Sequence, residues 1–265
     1  MPTHFGPSLG PRQGPHGRKH GSDEGQRAIL IWVTHAARSD EVAAILPDGF
    51  EPAEAPDLTV EFKNMRNISW LAGRGYSVVT VSTGVRWLGD GEAKDGRFKL
   101  VLWENMADPI ITGREELGYP KIFGEISDIA ESTGAARSEA SWGGFTFLEV
   151  AVEALAESSE GPPGGPSYHL HYMPRVGRPG EHGLVQTILT VSGQGATSVL
   201  ERRAGQGRAC FRPGAWEQLP TLKTIVDGLA RLELGACRGA GLVRTAGSTD
   251  LSHQVIVAEA KSNVC

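Results

Sequence analysis

Short apolar runs, interrupted at close intervals by glycine and proline, constrain the fold of this chain more than any other feature. The chain has 265 residues, of which 35 are Gly and 16 are Pro, and both are spread along its whole length. Runs such as 27–35 (RAILIWVTH) and 76–87 (YSVVTVSTGVRW) are rich in β-branched residues. Strand-like runs that recur about every 10–15 residues with turn residues between them are typical of antiparallel sheets. The sequence therefore predicts a β-rich α+β protein whose sheets close into a barrel or a sandwich, with a few short helices.

The ends of the apolar pattern suggest one folded domain preceded by a tail. Residues 1–26 are rich in Gly, Pro, His and Arg and offer almost nothing to bury, so we expect a disordered or loosely ordered tail. Residues 27–265 form the predicted single domain, with short helices predicted over 38–47 and 219–228. The Gly/Pro-rich loop 158–167 is consistent with either a hairpin tip or a domain boundary.

Composition excludes several classes of partner. The net charge is −5 and no basic stripe is present, so no nucleic-acid partner is expected. The longest apolar run, 28–33, is too short to cross a bilayer, so no membrane partner is expected. The three cysteines at 210, 237 and 265 are widely spaced, which predicts reduced thiols in a cytoplasmic protein.

Two further motifs give little support to a metal or a cofactor. His169 and His171 share one face of a predicted strand, but the carboxylate and third histidine that complete such a metal site are missing from the residues that follow. The glycine clusters at 193–198 and 205–208 do not lie between a strand and a helix, so we interpret them as hairpin turns instead of phosphate-binding loops. We therefore predict neither a metal nor a cofactor.

The segment 113–123, GREELGYPKIF, contains a lysine in an unusual setting. Lys121 is flanked by Pro120, Ile122 and Phe123. A lysine amine attacks a carbonyl only when it is neutral, and lowering a pKa of about 10.4 to about 7 takes about 4–5 kcal/mol. An apolar pocket or a second cation can supply that energy. A lysine whose stem lies along apolar surface while its charge reaches water is the alternative.

The longer segment 108–121, DPIITGREELGYPK, resembles the signature of the acetoacetate decarboxylase family, in which Gly-Arg-Glu leads into Tyr/Phe-Pro-Lys. Weaker similarity extends over 27–33, 45–52, 168–174 and 217–226. The resemblance implies a cone-shaped antiparallel β-barrel and a homo-oligomer. It also implies that Lys121 is buried and forms a Schiff base with a small-molecule keto acid.

Two positions depart from the pattern of true decarboxylases in this family. The lysine that directly follows their Schiff-base lysine is replaced by Ile122, and the strand over 74–80 lacks their glutamate. Family members without the second lysine include enzymes that run aldol-type and dehydration chemistry on pyruvate-like keto acids. We therefore expect a carbon–carbon lyase, with aldolase- or dehydratase-type chemistry favoured over decarboxylation. A non-catalytic keto-acid-binding protein on the same barrel is the alternative.

Chemistry and proximity to the motif indicate the remaining candidate residues. A substrate carboxylate needs a cation, and proton transfers need an acid or base. For Arg114 and Glu115 the alternative role is an ion pair that supports the loop. The predicted catalytic residues are Lys121, Glu115 and Tyr119, and the predicted substrate-binding residues are Arg27, Tyr76, Arg114, Ile122 and Phe123. Arg74, Glu104 and Glu116 are further polar candidates.

Overall fold

The computed structural model describes residues 25–89, 94–178, 182–190, 197–247 and 254–259. All but the last two residues of the predicted tail 1–26 lie outside this part of the chain, as does most of the glycine cluster 193–198. The strands in chain order are β1 (Arg27–Ala36), β2 (Phe50–Pro52), β3 (Asp57–Arg66), β4 (Tyr76–Trp87), β5 (Lys94–Glu104), β6 (Lys121–Phe123), β7 (Glu125–Ile126), β8 (Ala130–Ser132), β9 (Ala135–Trp142), β10 (Phe145–Glu157), β11 (Ser167–Pro174), β12 (His182–Thr190), β13 (Ser198–Phe211), β14 (Cys237–Ala246) and β15 (Gln254–Glu259). The helices are α1 (Ser39–Ala43), α2 (Ala107–Glu115) and α3 (Lys223–Ala230), and a single 3₁₀ turn spans Ser69–Leu71.

All of these strands belong to one sheet, which confirms the β-rich prediction. Its main order is β15-β12-β11-β5-β4-β3-β1-β14-β13-β10-β9-β7, with β2 on β4, β6 on β5 and β8 on β9. The pairs are antiparallel except for β5 with β6 and β5 with β11, which are parallel, so the sheet is mixed instead of wholly antiparallel. Among the described residues, hydrogen bonds do not close the sheet, because β15 and β7 form its two ends.

The four neighbouring strands β1, β3, β4 and β5 have two different faces. Alternate residues on one face, including Ile31, Phe62, Val79 and Trp103, join the main hydrophobic core. That core also takes in apolar side chains of β10, β13 and α3, and burial of this apolar surface is the main stabilising term of the fold. The opposite face of the same four strands carries the polar and charged side chains that the next section describes.

The helix predicted over 219–228 forms as α3, which begins at Lys223 and ends at Ala230. Two local interpretations do not hold. The cluster 205–208 lies inside β13 instead of a turn, and its glycines allow close strand contacts: a Cβ on Gly207 would come within 2.6 Å of the Ala240 Cβ. The loop 158–167 is not a hairpin tip, since β10 and β11 are not neighbours in the sheet. None of the described helices has the length and apolar character to span a membrane.

Candidate active site

An irregularity in β5 brings its charged residues to one face of the sheet. Lys99 and Glu104 are five positions apart, and strict alternation would place them on opposite faces. The register between β4 and β5 shifts between Val81 and Ser82, so that Glu104 pairs with Val78 while Lys99 pairs with Ser82. Because Val78 and Ser82 share a face, this β-bulge places both charged side chains on that face.

Backbone hydrogen bonds fix Lys121 beside this face. Strand β6 runs parallel to β5, with Lys121 opposite Leu102, and the Leu102 N–H donates to the Pro120 carbonyl at 3.0 Å. The Arg114 guanidinium, at the end of α2, donates to the Lys121 carbonyl at 2.9 Å. The helix and the strand therefore hold the lysine backbone from two sides.

The Lys121 amine is buried and paired with a carboxylate. Its Nζ lies 2.8 Å from Oε1 of Glu104, and the exposed fractions of the two side chains are 8% and 2%. The amine also donates to the Pro109 carbonyl at 3.1 Å. Burial raises the pKa of Glu104, and the Lys121 charge opposes that rise. Glu104 Oε2 has no hydrogen-bond partner among the described residues, so this oxygen can serve a further group.

A glycine and an apolar cluster enclose the amine. A Cβ built on Gly113 would overlap Cδ, Cε and Nζ of Lys121, so only a residue without a side chain leaves the amine where it is. Tyr119 is buried in the cluster, and Tyr76 packs against it. The other buried members of the cluster are Ala28, Met65, Ile68, Val78 and Leu102.

Tyr119 connects the amine to a second lysine and to a histidine. Its ring stacks on His169 with centroids 4.1 Å apart. The Nζ atoms of Lys99 and Lys121 lie 4.6 Å and 5.7 Å from the Tyr119 centroid, within the range of cation–π attraction. The Tyr119 hydroxyl lies 3.4 Å from Thr190 Oγ1.

His169 is a neutral, buried ring. Its Nε2 lies 2.9 Å from the Leu117 carbonyl, and because a carbonyl only accepts, Nε2 carries the hydrogen and Nδ1 is left as an acceptor. Nδ1 has no partner among the described residues. Burial lowers the pKa of His169 to about 3, so the ring is uncharged at neutral pH.

The structure separates the other predicted residues from the amine. Arg27 is exposed and alternates with Ala28, so its side chain leaves the sheet on the opposite face. Its Nη1 donates to the Gln26 carbonyl at 3.0 Å. Glu115 is exposed at the end of α2, and it has a partner of its own.

The two residues that follow Lys121 also point elsewhere. Ile122 pairs with Trp103 and packs against the main core on the other face of the sheet. Phe123 is 44% exposed. The groups around the amine therefore come from α2, from Tyr119 and from β5, and not from the two residues that follow Lys121.

Sequence reasoning gave little weight to the acid that contacts the amine, and it missed Lys99 entirely. Glu104 was only one of several polar candidates, although it precedes α2 directly along the chain. In the described ranges, no group of three or more His, Cys, Asp or Glu residues could hold a metal ion. A surface groove between Glu157 and Arg203 contains none of the residues around Lys121.

A buried lysine paired with a carboxylate, on one face of a large mixed sheet, defines a site in which an amine can react with a carbonyl compound. The family model described as acetoacetate decarboxylase (ADC) matches residues 1–232, and the chain belongs to that family. No curated protein matches the sequence.

Solved structures of this family share the fold. The acetoacetate decarboxylase of Legionella pneumophila is 16% identical with a TM-score of 0.65, covering 92% of each chain. The enduracididine biosynthesis enzyme MppR, complexed with pyruvate, is 16% identical with a TM-score of 0.64, covering 93% of each chain. An acetoacetate decarboxylase-like enzyme from Sphingomonas wittichii RW1 is 16% identical with a TM-score of 0.63, covering 89% of this chain and 95% of that one.

Proposed function

We propose that the protein is a lysine Schiff-base lyase that acts on a small or medium keto acid through Lys121. The observation that carries the proposal is the buried contact of 2.8 Å between Lys121 Nζ and Glu104 Oε1. A carboxylate whose pKa is raised by burial is a better proton acceptor than a solvated one. Glu104 is therefore suited to take the proton that the ammonium must lose before it can attack.

The reaction begins with formation of an iminium. The neutral amine adds to the ketone carbon and gives a carbinolamine, and the proton held by Glu104 passes to its hydroxyl group, which leaves as water. The product is an iminium between Lys121 and the substrate. Protonated iminium nitrogen withdraws electrons from the neighbouring carbons, and this is the driving force for every later step.

The bond that breaks next depends on the substrate. In a 3-oxo acid the bond to the carboxylate breaks, carbon dioxide leaves, and its electron pair forms an enamine. In a 2-oxo acid a base removes a proton from the carbon beside the iminium. The resulting enamine adds to an aldehyde, or the reverse reaction cleaves an aldol. The enamine left by decarboxylation takes up a proton at carbon and becomes an iminium again, whereas aldol addition gives an iminium directly. Water then attacks this iminium and releases the product and the lysine.

We favour aldol-type or dehydratase chemistry over decarboxylation. Ile122 stands where true decarboxylases of the family have a second lysine. MppR, which shares the fold, is described in complex with the condensation product of pyruvate and imidazole 4-carboxaldehyde. We propose that this protein catalyses a similar step, in which an enamine on Lys121 adds to an aldehyde.

Two assays on the purified protein test this function. Enamine formation exchanges deuterium from heavy water into the pyruvate methyl group, and decarboxylation releases carbon dioxide from acetoacetate. We expect exchange on pyruvate and slow release from acetoacetate. Fast release without exchange would make the protein a decarboxylase, and neither reaction with any keto acid would favour the non-catalytic binding protein.

Two structural expectations accompany the function. Family membership leads us to propose that the sheet curves into a cone around the site and that the protein forms a homo-oligomer. Light scattering after gel filtration measures the subunit number, and a monomer at micromolar concentration would contradict the second expectation.

A further inference from the structure

Three charged side chains share the face of the sheet that carries Lys121 but take no part in its ion pair. Glu61 pairs with Thr80 and Lys63 with Val78 in β4, and Lys99 pairs with Ser82 of the same strand. Since Val78, Thr80 and Ser82 alternate along β4, the three charged side chains leave the sheet on one face. All three are only partly exposed.

These charges are not paired by contact. In the part of the chain that the structure describes, none of the three forms an ion pair or a side-chain hydrogen bond. Arg97, on the same face, is different: it binds both oxygens of Asp57, at 2.6 Å and 3.1 Å, and also Thr59. A side chain that is already held in this way is not available to a ligand.

The unpaired group has an excess of positive charge. It contains two ammonium groups, those of Lys63 and Lys99, and one carboxylate, that of Glu61. Burial lowers the pKa of Lys63, and the charge of Glu61 opposes that shift. Burial raises the pKa of Glu61, and the charges of Lys99 and Lys63 oppose that rise. Because Glu61 offsets only one of the two ammonium groups, one partly buried positive charge remains, and binding of an anion by the two lysines would be favourable.

Lys99 lies close enough to Lys121 to act on the same small molecule, and Lys63 and Glu104 pair with Val78 from its two sides. Lys99 Nζ and Lys121 Nζ lie 4.6 Å and 5.7 Å from the centroid of one Tyr119 ring. The two nitrogens are therefore separated by no more than the sum of those distances. A short keto acid is long enough to place its ketone at Lys121 and its anionic group at Lys99.

We propose that Lys63 and Lys99 bind the carboxylate of the keto acid whose ketone reacts with Lys121. The reaction of the ketone with Lys121 rests on the proposed function. The anion site is argued separately, from the positions of Lys63 and Lys99. It replaces the arginines that the sequence suggested. Arg27 is on the opposite face of the sheet, and Arg114 is engaged with the Lys121 carbonyl. Arg74 is exposed and donates to the Leu71 carbonyl at 3.3 Å.

A binding experiment tests the anion site without any imine. Saturation-transfer NMR compares butyrate with its neutral isostere butyramide on the wild-type protein. We expect Lys99→Met and Lys63→Met each to weaken butyrate binding about tenfold or more and to leave butyramide unchanged. Lys94→Met, which removes an exposed lysine of the same strand, is the matched control and should change neither. Lys99→Arg keeps the charge and should retain butyrate binding.

A trapping experiment then connects the anion site to the reaction. The rate of borohydride trapping is measured with pyruvate, acetoacetate and levulinate. It is compared with the rate for the methyl esters of the same three acids, which lack the negative charge. In the wild type we expect the acids to be trapped faster than the esters. The Lys99→Met variant should lose about tenfold of that preference, measured within each variant as the ratio of the acid rate to the ester rate. The acid with the largest preference reports the spacing between ketone and carboxylate.

The outcomes separate the two proposals. Butyrate binding that is unchanged in both lysine variants would overturn the anion site, as would trapping on Lys121 with the same acid preference in Lys99→Met. Loss of butyrate binding in these variants together with no trapping of any ketone would support the anion site and remove the proposed lyase function.

Discussion

Glu104 and Lys121 lie on the adjacent parallel strands β5 and β6, and their side chains meet on one face of the sheet. Lys121 pairs with Leu102, and Glu104 follows Leu102 by two residues on the same face of β5. The chain between them forms α2 and the turn at Gly118, where φ is 71°, a conformation that favours glycine. The motif 113–121 is therefore a short return connection that places an amine beside a buried acid.

The first prediction concerns the acid that serves Lys121. Changing Glu104 to Gln keeps the shape but removes the proton acceptor 2.8 Å from the amine. We expect deuterium exchange on pyruvate to fall by about 10²–10⁴-fold. Glu115→Gln, at an exposed position, should retain exchange within a few-fold of wild type. The reverse order of the two variants would show that Glu115, the acid suggested by the sequence, is the catalytic one.

The second prediction concerns Gly113, which leaves room for the amine. Gly113→Ala adds a methyl group that overlaps the end of the Lys121 side chain, and this flexible side chain can move where backbone cannot. We expect a folded protein whose trapping by borohydride falls at least tenfold. Gly228→Ala is the matched control, because Gly228 lies in α3 and a Cβ there has no atom within 4 Å. It should fold at least as well as wild type.

Equal trapping in Gly113→Ala and Gly228→Ala would contradict the position that the structure gives to the amine. Thermal melts of Gly113→Ala and Gly228→Ala, measured beside the trapping, show whether the loss of trapping is separate from a loss of the fold.

The third prediction concerns pH and His169. Burial lowers the pKa of His169 to about 3 from an ordinary value of 6.5. Between these two values the unfolded chain binds a proton that the native state does not bind, so the free energy of unfolding falls as pH falls below 6.5. His169 should contribute a loss of about 2 kcal/mol between pH 7 and pH 5.

Urea unfolding of wild type and His169→Gln at both pH values measures this contribution. Glutamine keeps a donor for the Leu117 carbonyl but cannot be protonated. We expect the wild type to lose about 2 kcal/mol more than the variant over that interval. The same loss in both proteins would mean that His169 is protonated in the native state.

The strand pattern and the motif could be predicted from the sequence because both are local. β-branched runs such as 76–87 predicted strands, and the structure confirms β4 over the same residues. Helices were predicted only over 38–47 and 219–228, so the nine-residue helix α2 over 107–115 was not predicted. The family match confirms the resemblance that the segment 108–121 suggested.

The partners of Lys121 could not be predicted, because they depend on register. The β-bulge that places Lys99 and Glu104 on one face cannot be recognised from the alternation of apolar and polar residues in the sequence. Position 122 follows Lys121 directly and therefore faces the opposite side of the sheet, where Ile122 joins the main core. Likewise, the strand over 74–80 contains no acid of its own, and the acid that pairs with Val78 comes from β5 as Glu104.

The most direct test of the central claim is to locate the covalent adduct. Wild-type protein is reduced with borohydride in the presence of pyruvate, digested and mapped by mass spectrometry. Lys121→Arg and Lys223→Arg are treated in the same way, since arginine stays protonated and cannot form an imine. The account predicts one modified lysine at position 121, the same adduct in Lys223→Arg, and none in Lys121→Arg. An adduct that persists in Lys121→Arg, or that maps to another lysine in the wild type, would contradict it.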